Sequence, residues 1–346
     1  LGNIGENKLL LITTIQLIDE YFNLKQRVAK QKEKIDDVSK RFQELRSLAI
    51  KYKDSKDVEI NKLNDELDKF NFAISHYGFL LLKNTPIDKK VKTNILKTYK
   101  KFFYLPFEQK NKVNMALTSS NRGWGAPRGE QVNPEYNPDY KEIFDTGPHK
   151  KIKYEFKELT YYSKNLWPDQ LPFFEKNVND YYDLCTQIGM NILSFIEHAL
   201  DLSEKFFRDK FENPMSLLRC NYYPPRKSTL SNKDYGIAPH TDYGCLTILL
   251  TDNNPGLEIK NPSDEWESVL PKEEEIIINF GDMLEFWSNK KIKATSHRVF
   301  GNSDERFSIP FFFNPQYDTI ISKKDNIIAG EYLSKKYDTT YSHKKR

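Results

Sequence analysis

Residues 216–322 hold eight short runs: "SLLRCNYY", "CLTILLTD", "LEIKN", "WESVL", "EIIINF", "MLEFWSN", "ATSHRVF" and "RFSIPFFFNP". They are rich in β-branched and aromatic residues and are separated by turn residues. This cadence predicts about eight short strands, and so an all-β sandwich or barrel.

The front half reads differently. "LLLITTIQ" at 9–16 is apolar and β-branched and predicts a first strand. From 17 to 53, Tyr21, Leu24, Val28, Ile35, Val38, Phe42, Leu45 and Ala49 fall at heptad a and d positions, with Gln31 and Tyr52 in the remaining slots. The first proline is Pro86. The segment is a helix with two readings: one lying on the domain, or a coiled-coil arm for self-association. A second amphipathic helix is expected over 56–76, a strand at "GFLLLKN" (78–84) and a helix over 89–103. Residues 117–150 are turn-rich. An apolar helix follows over 172–200, and then a helix at "SEKFFRDKF" with Ser203 as its N-cap. The expected organisation is one compact unit. A helix-rich region spans 1–160, and a β-rich core with its supporting helices spans 161–346. The fold class is α+β with a mainly β core.

Composition narrows the function classes. In 346 residues, 53 basic and 49 acidic groups leave a net charge of +4, which argues for no nucleic-acid partner. No apolar run approaches the ~20 residues of a membrane span, so no membrane partner is expected. The opening "LGNIGENKLLLITTI" lacks a basic n-region and a small-residue cleavage site, so no secretory signal is expected. Cys185, Cys220 and Cys245 show no zinc spacing and no pairing pattern, which suits a reducing, cytoplasmic setting. Cys245, beside a candidate ligand, reads as a small buried thiol.

"APHTDYGCLTILL" (238–250) puts His240 and Asp242 two positions apart, on one face if the segment is a strand. His297 begins another strand-like run. Two imidazoles and one carboxylate bind Fe(II) while leaving three positions open for a bidentate acid and O2. Nine residues after His297, "RFS" presents Arg306 and Ser308 on one strand face, a fork and a hydroxyl suited to a carboxylate. "NYYPP" offers Asn221 and Tyr223, also on one face.

In order and spacing, "LLRCNYYPP", "APHTDYGCLTILL", "PGLEIKN", "INFGDMLEFWSN" and "ATSHRVF…RFSIPFFFNP" resemble the core of the 2-oxoglutarate- and Fe(II)-dependent dioxygenase superfamily, in its isopenicillin N synthase-like branch. "SHYGFLLLKN" and "FFYLPFEQKNKV" are similar to the family's N-terminal region. The resemblance implies a double-stranded β-helix, or jelly roll, flanked by N-terminal and central helices. It implies that His240, Asp242 and His297 ligate iron. It assigns Arg306 and Ser308 to the distal carboxylate of 2-oxoglutarate, with Asn221 and Tyr223 nearby. The implied reaction is hydroxylation of a small molecule by O2, with 2-oxoglutarate decarboxylated to succinate and CO2.

The resemblance also puts Arg122, Trp124 and Glu142 beside the substrate; loop packing is their other reading. Phe311 and Phe313 either reach the pocket or fill the core. Two alternatives stand beside the leading function. One is an iron oxidase of the same superfamily, in which Arg306 and Ser308 hold the substrate's own carboxylate. The other is a non-catalytic scaffold acting through the 17–53 helix.

Overall fold

The computed structural model describes residues 3–118, 120–225, 233–300, 304–322 and 324–340. Two units are distinguished, residues 1–68 and 69–346.

The described residues of the first unit are helical throughout. Helix α1 runs unbroken from Asn3 to Phe72, so its last turn belongs to the second unit. Nothing between Gly5 and Gly78 breaks it, for that stretch has neither glycine nor proline. The strand expected at 9–16 and the helix boundary expected near 54 are therefore both absent. The β-branched run is absorbed because its hydroxyls find partners one turn back. Thr13 Oγ1 donates to Leu9 O and Thr14 Oγ1 to Leu10 O, each at 2.8 Å.

In the second unit the chain leaves α1 through a single π-helical turn, Ala73–Tyr77. Gly78 ends it in the left-handed region at φ 62°. A Cβ there would also lie 2.2 Å from Lys293 O, so only glycine fits. Strand β1 (Phe79–Leu82) follows, then α2 (Lys89–Phe103), α3 (Phe107–Asn111), β2 (Gly123–Gly125), β3 (Glu142–Thr146) and α4 (Phe174–Ala199). The following strands are β4 (Leu217–Tyr223), β5 (Ile237–His240), β6 (Leu246–Thr251), β7 (Leu257–Lys260), β8 (Trp266–Ser268), β9 (Ile276–Phe280), β10 (His297–Val299) and β11 (Arg306–Phe313), and then a short pair, β12 (Ile320–Ser322) and β13 (Ile327–Ile328). Helix α5 (Asp282–Trp287) lies between β9 and β10, and α6 (Ala329–Thr340) ends the described chain.

β1 to β11 form a seven-stranded sheet, β1-β9-β6-β11-β4-β3-β2, and a four-stranded sheet, β5-β10-β7-β8, while β12 and β13 pair by themselves. All the pairings within them are antiparallel. Side chains of both sheets line one cavity, which is the jelly-roll arrangement. β1, β2 and β3 are strands of the large sheet, so no packing boundary falls near residue 160.

The other face of the large sheet carries the helices. Phe311 and Phe313 are fully buried there. Phe311 meets Tyr182 of α4 at 4.9 Å, and a Cβ on Gly189 of α4 would lie 2.5 Å from the Phe313 ring. They fill the core, whereas Phe312 between them lines the cavity. Phe102 of α2 packs edge-on to Phe144 of β3 at 4.6 Å.

Two further expectations fail for local reasons. "MLEFWSN" is not a strand but α5, since a short apolar run has no period long enough to choose. The segment after Ser203 makes only one 3-10 turn, Arg208–Phe211. Lys205 sits at φ 65°, and the Glu197 carboxylate takes the backbone N–H groups of Lys205 and Phe207. These bonds hold an irregular turn that Ser203 does not cap.

Candidate functional site

His240 ends β5 and His297 begins β10, and the two are directly paired across those strands. Their rings lie 4.3 Å apart. His240 Nδ1 donates to Ala238 O at 2.8 Å and His297 Nδ1 to Thr295 O at 3.1 Å. A carbonyl only accepts, so each Nδ1 carries a proton, and Nε2 is the nitrogen that each ring turns toward Asp242. Burial and the facing His297 push the His240 pKa down, which keeps that ring neutral.

Asp242 does not lie on the strand. It sits two residues past the end of β5, in the turn before β6. The turn is gripped from below: Asp282 N donates to Asp242 O at 2.8 Å and Met283 N to Gly244 O at 3.0 Å. A Cβ on Gly281 would lie 2.4 Å from Gly244 O and 2.5 Å from Asp242 O, so a glycine is required where α5 meets the turn. Thr247 Oγ1 and Asn279 Nδ2 both donate to Asp242 Oδ2, at 2.6 and 2.7 Å. The other oxygen, Oδ1, is 3.7 Å from His240 Nε2 and 3.6 Å from His297 Nε2. Burial opposes the carboxylate charge, but His297 and His240 with these two donors hold its pKa below the usual value.

All three ligand atoms lie within 4.8 Å of one another. Two imidazole nitrogens and one carboxylate oxygen, each oriented by a second hydrogen bond, fit a divalent iron with open positions.

The cavity is about 110 Å³. Leu217, Arg219, Asn221 and Tyr223 of β4 all line it, as period-two alternation requires. Arg306 pairs in register with Tyr223, and Ser308 with Asn221. Asn221 Nδ2 donates to Ser308 Oγ at 3.2 Å, which leaves the serine hydrogen free to donate. Arg306 is only 2% exposed, yet among the described residues its Nη1 has no partner; neither has Tyr223 Oη. Burial raises the Tyr223 pKa against the pull of Arg306, so the phenol keeps its proton. Unpaired buried donors are costly. A guanidinium, a phenol and a serine hydroxyl together fit a carboxylate.

Further along β4, a run of alternating charges forms the wall. Arg219 donates to Asp145 through Nε (2.8 Å) and Nη2 (2.7 Å), and to Glu130 through Nη1 (3.0 Å). Lys141 contacts Glu130 at 3.0 Å and Asp139 at 2.6 Å. Glu130, Lys141 and Arg219 all line the cavity. Burial would raise the Glu130 pKa, but Arg219 and Lys141 outweigh it and bring it to about 2.

Replacing Glu130 with glutamine should therefore destabilise the fold by about 3 kcal/mol at neutral pH, the order seen when one partner of a buried pair is removed. The sign follows from the depressed pKa. The contribution is present above the usual 4.5 and is lost as pH falls toward about 2. Urea denaturation of both forms across that window should show the gap between wild type and Glu130→Gln closing in acid.

The residues expected at the substrate do not line this cavity. Arg122 donates to the carbonyls of Asn121 and Tyr161. Trp124 Nε1 and Lys110 Nζ both donate to Glu142 Oε2 at 2.7 Å. Loop and strand packing occupies all three. Sequence reasoning missed Thr247, Asn279, Arg219, Glu130 and Lys141. Arg219 was within reach, because it shares a strand face with Asn221 and Tyr223. Asn279, a lone polar residue in "IIINF", was a further signal. Glu130 and Lys141 gave none.

Comparison with known proteins agrees with this geometry. Residues 214–315 match the 2OG-Fe(II) oxygenase superfamily. Residues 49–170 match the region described as non-haem dioxygenase in morphine synthesis N-terminal. The 2-oxoglutarate-Fe(II) type oxidoreductase hxnY of Emericella nidulans is 30% identical over 268 residues, covering 75% of this chain and 77% of that protein. A homoarginine-6-hydroxylase of Arabidopsis thaliana is 30% identical over 311 residues, covering 83% and 92%. The crystal structure of a full-length Neurospora crassa protein in complex with alpha-KG aligns with a TM-score of 0.68 at 28% identity, covering 78% of this chain and 88% of that one. The chain belongs to the 2-oxoglutarate- and Fe(II)-dependent oxygenase superfamily, as an oxidoreductase that uses iron, 2-oxoglutarate and O2.

Proposed function

We propose that this enzyme hydroxylates a polar small molecule, with His240 Nε2, Asp242 Oδ1 and His297 Nε2 as the iron ligands. Arg306, Ser308 and Tyr223 take the distal carboxylate of 2-oxoglutarate, and Asn221 orients Ser308. The observation that carries the reading is the set of buried donors at Arg306 and Tyr223, paired in register across β11 and β4 and unpartnered among the described residues, in the same cavity as a His-Asp-His cluster. When bound, iron and 2-oxoglutarate supply the oxidising chemistry, in which O2 is reduced and 2-oxoglutarate leaves as succinate and CO2.

The protein's own part is positional. Thr247 and Asn279 hold Asp242 so that one oxygen is left for the metal. Arg306 and Ser308 fix the cosubstrate's far end, and thereby the direction of its near end. Leu249, Leu257 and Val299 keep the metal side of the cavity dry. Beyond the clamp, Glu130, Lys141 and Arg219 offer fixed charges of both signs, which favours a polar substrate. Within the superfamily we assign the chain to the isopenicillin N synthase-like branch, on the order and spacing of its core motifs. Three buried free thiols support a reducing compartment such as the cytoplasm.

The test uses purified protein held without oxygen. Calorimetric titration with 2-oxoglutarate should show one binding site that requires Fe(II), and admitting air should release succinate. Iron binding without 2-oxoglutarate binding would reassign Arg306 and Ser308 to a substrate carboxylate and make the enzyme an oxidase.

A further inference from the structure

Helix α1 carries a seam that the catalytic reading leaves unused. Leu24, Val28, Ile35, Val38, Phe42 and Leu45 repeat at heptad a and d positions and are between 56% and 68% exposed. Extended by Leu10, Leu17 and Tyr52, the same repeat spans six heptads. A lone helix does not gain its stability from propensity alone, so a seam of this length calls for a covering partner.

The period says what shape covers it. A straight helix drifts about 20° per heptad against a 3.5-residue repeat. Over six heptads that amounts to about 120°, so a flat membrane surface would lose one end of the seam. A second helix supercoiled around α1 follows it throughout.

The flanks say which helix. One side of the seam, the e positions, holds Lys25, Lys32, Arg46 and Lys53. The other side, the g positions, holds Arg27, Lys34 and Arg41. No carboxylate stands at either flank from 25 to 53. The acids Glu33, Asp36, Asp37 and Glu44 lie on the outer face, where Asp37 makes an exposed pair with Arg41 at 3.0 Å. In a parallel pair of identical helices Arg27 would meet Lys32 and Arg41 would meet Arg46, on both sides, against one pair of opposite sign, Glu20 with Lys25. In an antiparallel pair the e positions face one another, and all of their charges are positive. Both arrangements of a second copy put like charges together.

We propose that residues 10–53 of α1 are the docking surface for a partner protein, through a helix with a heptad apolar seam and acidic flanks. This anchors the oxygenase to another protein rather than to itself.

The experiment uses the full chain and two synthetic 42-residue helices. Both carry Val at a and Leu at d; one has Glu at every e and g position, the other Lys. Each flank pair changes affinity about twofold. Over the seven basic positions the Glu helix should bind at least ~100-fold more tightly than the Lys helix at low salt. Molar salt should shrink that ratio. Light scattering should find the chain alone monomeric at micromolar concentration. The variant Lys25→Glu/Arg27→Glu/Lys32→Glu/Lys34→Glu should shift its preference toward the Lys helix, which a merely unfolded helix would not do. Equal binding of both helices, binding of neither, or dimerisation of the chain alone overturns the proposal. So does capture by phosphatidylserine vesicles without binding of the Glu helix.

Discussion

Replacing Asp242 with alanine should abolish Fe(II) binding at micromolar metal, and all turnover with it. Asp242 is the single anion among the three groups, and its Oδ1 stands 3.6–3.7 Å from both imidazole nitrogens. Without it, two neutral rings must hold a divalent cation. The supporting groups give the scale. Loss of a hydrogen-bond partner behind a ligand typically weakens metal binding ~10- to 100-fold. Thr247→Val and Asn279→Ala should fall in that range, while Asp242→Ala should exceed it. Competition with a colorimetric chelator reads all three. An Asp242→Ala protein that binds Fe(II) within tenfold of wild type would remove Asp242 from the ligand set.

Arg306→Ala should weaken 2-oxoglutarate binding while leaving iron affinity nearly intact. Loss of a buried, charge-assisted carboxylate contact costs roughly 2–5 kcal/mol, or about 30- to 5,000-fold. The fold should tolerate the change well for a buried arginine. Among the described residues the one side-chain hydrogen bond of Arg306 runs from Nε to Asn254 O at 3.3 Å, and Nη1 has no partner to orphan. Arg306→Lys should recover part of the affinity, because an ammonium keeps the charge but not the fork. Titration of the iron-loaded variants with 2-oxoglutarate reads the series. Equal affinities for wild type and Arg306→Ala would separate this arginine from the cosubstrate.

The sequence alone put forward His240, Asp242, His297, Arg306, Ser308, Asn221 and Tyr223 as candidates, and the structure brings all seven to one cavity. For residues inside strands the reason is local. Period-two alternation puts Asn221 with Tyr223 and Arg306 with Ser308, whatever the strands pair with. The absence of helix breakers before Gly78 was equally visible, although the β-branched run at 9–16 pointed the wrong way. Thr13 and Thr14 satisfy their hydroxyls within the helix, so propensity lost to continuity.

What lay beyond local rules depended on which segments meet. Asp242 reaches the histidines because a turn, gripped by Gly281 and Asp282 from forty residues away in the chain, bends it inward; strand alternation does not place it. Arg122, Trp124 and Glu142 look like substrate contacts until packing pairs them with Tyr161, Lys110 and one another. The charged wall of Glu130, Lys141 and Arg219 exists only because β3 and the loop before it fold back against β4. A side chain's chemistry and its face on a strand are set by its neighbours in the chain. Its partners are set by segments arriving from elsewhere, and only the packed tertiary structure decides those.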